Sequence, residues 1–108
     1  MTIVLVLLAG AFGAALRYGA SLVSARWFVL AVNVVGSLLA GIAVATLEGD
    51  ARLVVVTGFC GGLTTFSTFS VETVQQVLDG KAGAAASGIL LNLVLGVGAC
   101  AAGYALFA

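Results

Sequence analysis

The chain has no histidine, only two cysteines, and four basic and four acidic residues among its 108. Without imidazole or clustered thiols it offers no ordinary transition-metal site. No nucleophile–base pair stands out either, so an enzyme is not expected. Cys60 and Cys100 lie inside apolar runs, where cysteine acts as a small packing residue rather than a disulfide partner. Charged residues make up 7% of the chain against 63% hydrophobic, and the mean hydropathy is +1.30. That leaves too little charge to cover a soluble domain of this size. The alternation of a transmembrane strand is missing as well, which excludes a β-barrel span.

What is present is long apolar sequence cut at a few charged points. Arg26, the Glu48/Asp50/Arg52 cluster and the Asp79/Lys81 pair divide the chain into runs 3–23, 27–47, 53–78 and 82–107. Each reaches the roughly 20 residues that a helix needs to cross a hydrocarbon core about 30 Å thick. The expected class is therefore an all-α membrane protein with four transmembrane helices in a single domain spanning 1–108. The first run lacks a basic leading segment and is too long for a signal-peptide core, so a retained helix is expected. Basic residues favour neither side clearly: Arg52 faces Arg26 and Lys81, joined by Arg17 if it snorkels that way. This near-balance fits either an uninformative pattern or a chain inserted both ways up.

Four contacting helices fill their own centre, so a solute pathway calls for a second copy. The 15 glycines, with spacings such as Gly36/Gly41 and Gly96/Gly103, let helix backbones approach closely. The third run carries the most specific stretch, Gly58-Phe-Cys-Gly-Gly-Leu-Thr-Thr-Phe-Ser-Thr-Phe69. Two glycines followed by two threonines weaken a helix mid-membrane, and a break is expected near 60–65. Backbone groups freed there must line a cavity, meet another chain or bind an ion. Phe66 and Phe69 share a helix face, with hydroxyls from Thr65, Ser67, Thr68 and Ser70 around them. Positively polarised ring edges and hydroxyls together can replace the water shell of a small anion. The same residues also fit a kinked helix with aromatic packing.

This stretch resembles the signature of the Fluc/CrcB family of fluoride channels. Gly10-Ala-Phe-Gly13 with Arg17-Tyr18, Trp27 to Gly36 around Asn33, and Asn92 in the fourth run resemble the family's other patterns. The resemblance implies a passive fluoride-selective channel that lowers the toxicity of fluoride, in the cell inner (plasma) membrane as a multi-pass protein. It implies an antiparallel, dual-topology dimer, with a homodimer favoured and a heterodimer of paralogues as the alternative. It further implies a structural sodium ion, not transported, on the backbone carbonyls of Gly61 and Thr64. The fluoride pathway falls on Asn33, Phe66, Phe69, Thr68 and Asn92, with Thr65, Ser67, Arg17 and Glu72 as further candidates. Fluoride, the bilayer and a second subunit are the partners implied, with no nucleic acid.

Asn33 and Asn92 also fit plain interhelical hydrogen bonding, Arg17 a snorkelling side chain, and Glu72 an interfacial position. Departures from the family pattern fall before Asn33, where its Pro, Gly and Thr are replaced by Arg26, Phe28 and Val29; the chain contains no proline. In the fourth run Gly88 stands where some members have Tyr. One rival is a non-conducting or partly degraded subunit of a heterodimeric channel. The other is a small multidrug exporter, disfavoured because the first run has no acidic residue.

Overall fold

The computed structural model describes residues 1–23, 27–65 and 67–108, with Ser67 and Thr68 described in backbone only. Expectations placed on Arg26 and Phe66, and on the side chains of Ser67 and Thr68, lie outside the described residues. The described elements are helical throughout. They are α1 (Thr2–Val23), α2 (Phe28–Thr46), α3 (Gly49–Leu53), a π-helical segment (Val54–Cys60), α4 (Gly61–Leu63), α5 (Ser67–Leu78) and α6 (Ala82–Phe107). With 22, 19 and 26 residues, α1, α2 and α6 are each long and apolar enough to cross a bilayer. The chain is a multi-pass membrane protein. Over the third apolar run, by contrast, several short helical pieces follow one another.

Backbone chemistry explains where the elements stop. At the end of α5 the Lys81 N–H bonds the Gln76 carbonyl at 2.7 Å and the Gly80 N–H bonds Val77 at 3.1 Å. This pair of closures needs a left-handed residue between them, and Gly80, at φ 79°, supplies it without a Cβ penalty. The end of α2 is held differently. Arg52 donates from Nε to the Leu47 carbonyl and from Nη2 to Val44, both at 2.9 Å, so a cation satisfies carbonyls at a helix C-terminus.

The elements form a flat body with extents of 47 × 28 × 20 Å. α2 packs chiefly on α6, α1 lies against the π segment and α4, and α5 leans on α6. Glycine sets the closeness of two crossings. A Cβ on Gly62 would fall on the Gly10 carbonyl, and one on Gly13 would strike the Phe59 carbonyl and come within 2.8 Å of the Leu63 nitrogen. Between α2 and α6, Gly41 lies on the Cys100 backbone, and a Cβ on Gly103 would sit 2.6 Å from the Leu38 carbonyl. Gly96 has ordinary space, with Ser37 Oγ at 3.5 Å.

The buried apolar set is thin: Val29, Val32, Ala43, Cys60, Leu63 and Ala85. Large apolar side chains point outward instead, among them Leu7, Phe12, Leu90, Leu93 and Val97. Such a surface is unstable in water but is matched by lipid tails or a second apolar subunit.

Candidate functional site

The site is built where the third run leaves helical geometry. After α4, Thr64 takes an extended conformation at φ −76°, ψ 157°. Its N–H and its Oγ1 both donate to the Cys60 carbonyl at 2.9 Å, so the helical turn is closed locally as the chain departs. In a continuous helix the next amide, Thr65 N–H, would point at Gly61. Here it donates to Asn33 Oδ1 at 2.9 Å, while Asn33 Nδ2 reaches the Thr65 carbonyl at 3.4 Å. One side-chain amide thus spans both backbone groups of a residue that is 4% exposed. A buried backbone group without a partner is costly, and Asn33 supplies one across the helix boundary.

The network continues into α6. Asn33 Nδ2 donates to Asn92 Oδ1 at 3.1 Å, and Asn92 Nδ2 donates to the Gly88 carbonyl at 2.9 Å. Gly36, one turn beyond Asn33, leaves space for the Thr64 methyl group; a Cβ there would collide with Thr64 Cγ2.

An open cavity of about 430 Å³ lies along this network, lined by Asn33, Ser37, Thr64, Thr65, Phe69, Ile89, Asn92 and Leu93. A second, of about 380 Å³, is lined in part by Trp27, Glu72, Thr73, Gln76 and Ser87. Phe69 and Asn92 border both cavities. Each cavity sets a few polar groups among apolar walls.

The structure therefore brings Asn33, Thr64, Thr65, Phe69 and Asn92 together. Arg17 joins from α1, with Nη1 3.4 Å from the Thr64 carbonyl. Glu72 stands apart, exposed on α5 at the second cavity. Gly61 is exposed at the start of α4. Sequence reasoning missed Ser37, although it lies four residues after Asn33 and so on the same face of α2. It also missed Thr73, Gln76 and Ser87, whose shared cavity depends on how α5 leans on α6. The Cys60 carbonyl, which takes two bonds from Thr64, has no signature in a side chain.

A family model described as CrcB-like protein, Camphor Resistance (CrcB), matches residues 4–104. The fluoride-specific ion channel FluC of Syntrophotalea carbinolica is 47% identical over 91 residues, covering 79% of this chain and 67% of that protein. The protein of the same name from Photobacterium profundum is 43% identical over 112 residues, covering 92% and 88%. That of Agrobacterium fabrum is 40% identical over 119 residues, covering 98% and 95%. The match runs through every element that builds the site, and the chain belongs to the CrcB family.

Proposed function

We propose that the chain is a fluoride-selective channel that lets the anion leave the cell passively. Neutral hydrogen fluoride crosses lipid and ionises inside, and the trapped anion needs a protein route out. The observation that carries this reading is the clustering of Asn33, Thr65, Phe69 and Asn92 on an open cavity, in a chain whose relatives are named for fluoride. Amide and hydroxyl groups with a ring edge offer fixed donors to an anion that must shed tightly held water. The cavity is open and wider than any halide, so discrimination against chloride is assigned to the narrower path that a second subunit would complete along these groups.

The third run is read as a fourth crossing, broken at Thr64 and Thr65. The cavity's open side and the outward apolar surface support a second subunit that completes the path. An antiparallel homodimer in the plasma membrane accommodates both, and the pathway roles of Phe66, Ser67 and Thr68 rest on the family resemblance alone. In that assembly the Gly61 and Thr64 carbonyls would hold a sodium ion. Neutral oxygens fit a hard cation, the extended Thr64 turns its carbonyl out of the helical ladder, and the Thr65 N–H, turned to Asn33, no longer takes the Gly61 carbonyl; the Arg17 guanidinium, 3.4 Å from the Thr64 oxygen, would have to turn away for the cation to bind. Such an ion would supply positive charge to the carbonyls freed at the break and would not itself be transported.

Growth of a bacterium lacking its own fluoride exit route tests the function. Expression of this chain is expected to restore growth at otherwise inhibitory fluoride. Full membrane insertion without protection would contradict it, and protection only on co-expression of a paralogue would establish the heterodimer instead.

A further inference from the structure

Three hydrogen bonds form a directed chain from α6 through α2 to the break, and both of its ends are backbone groups. At one end the Thr65 N–H can only donate, so the atom of Asn33 facing it at 2.9 Å is the oxygen Oδ1. At the other end the Gly88 carbonyl can only accept, so the atom of Asn92 facing it at 2.9 Å is Nδ2. These two constraints leave one orientation for each amide, and in that orientation Asn92 Oδ1 meets Asn33 Nδ2 at 3.1 Å. Reversing either amide would set donor against donor at one contact and acceptor against acceptor at another. Asn92 therefore has one of its two N–H donors on its own helix and its acceptor aimed at Asn33.

We propose that Asn92 is a positioning residue, which fixes the side-chain amide of Asn33 and through it holds the Thr65 backbone just beyond the break. The proposal rests on the channel reading for its effect on permeation. Without the Asn92 oxygen, the Asn33 amide keeps only its two contacts to the Thr65 backbone, at 2.9 and 3.4 Å, loses its tie to α6, and holds the Thr65 N–H less firmly. Thr64, Thr65 and Phe69 line one cavity, so loosening this segment widens the donor spacing and weakens discrimination between halides. Asn92 also borders both cavities, and a residue that met the anion directly would act independently of Asn33.

A double-variant cycle separates the two roles. Asn92→Leu, Asn33→Leu and the double variant are purified as assembled protein and placed in liposomes. The ratio of fluoride to chloride efflux is measured, and amide exchange is followed across the segment containing Thr65. The expected result is at least a tenfold faster exchange at Thr65 in Asn92→Leu, a lowered efflux ratio, and no further change when Asn92→Leu is added to Asn33→Leu. Multiplying effects in the double variant, or unchanged exchange at Thr65, would overturn the proposal. If Asn92→Leu fails to assemble, Asn92→Ala removes the same oxygen without adding bulk, and the same outcomes decide. Absence of fluoride efflux from the unaltered chain would contradict the channel reading alone, since the exchange measurement still tests the positioning role.

Discussion

Phe69 and Asn33 act through different parts of the same residue-scale chemistry. Phe69 contributes a ring to the cavity that Asn33 and Asn92 line. Phe69→Ile keeps most of the bulk and hydrophobicity but removes the polarised edge. The variant is expected to purify as an assembled protein and to lose at least tenfold in fluoride efflux; normal efflux would remove Phe69 from the pathway. Asn33 has a structural part as well, because it is the partner of the buried Thr65 N–H. Asn33→Leu leaves that donor without its acceptor, and a destabilisation of about 1–3 kcal/mol is expected, visible as a lower Tm. Asn33 and Asn92 stand out in the sequence because amides are rare in apolar runs. That Asn33 clasps the backbone of Thr65 could not be read there, since the contact joins residues 32 apart and depends on how α2 meets the break.

At the scale of elements, backbone proximity decides which glycines matter. Gly62→Ala would push a methyl group into the Gly10 carbonyl and force α1 off α4. Overpacking of this kind costs about 1–3 kcal/mol, and a clear fall in Tm is expected. Gly98→Ala on α6 has nothing within 4 Å, and the gain in helix propensity is worth about 0.5–1 kcal/mol; an unchanged or higher Tm is expected. Equal destabilisation by both would contradict the crossing described here. Sequence spacing flagged Gly36/Gly41 as one small-residue pair, but the two serve different contacts. Gly36 makes room for Thr64, whereas Gly41 meets the Cys100 backbone. Five residues along a helix of 3.6 per turn put the two about 140° apart, so they meet different neighbours. The run boundaries were legible because charged residues end the apolar segments: 3–23 became Thr2–Val23 and 82–107 became Ala82–Phe107. The π segment Val54–Cys60 was not, because its valines and glycine carry no distinct π-helical pattern.

For the whole molecule the proposed channel requires a second subunit and an ion. Sodium that binds only the assembled protein stabilises it by mass action, about 2.7 kcal/mol at a hundredfold excess over Kd. Replacing sodium with a much larger cation is expected to lower Tm, and indifference to the cation over a wide concentration range would count against the carbonyl site. Orientation has its own test. With Cys60 and Cys100 replaced by alanine, Ala108→Cys is expected to react with an impermeant thiol reagent from both sides of the membrane. Reaction from one side only would contradict dual insertion of a single chain.

The proposed channel requires that this chain alone make a passive path for fluoride that excludes chloride. Fluoride and chloride efflux from liposomes containing only the purified chain, with no proton gradient imposed, tests it most directly. Rapid fluoride release with chloride retained on the same timescale is expected. Equal release of the two halides, or fluoride release only when a proton gradient is applied, would contradict it.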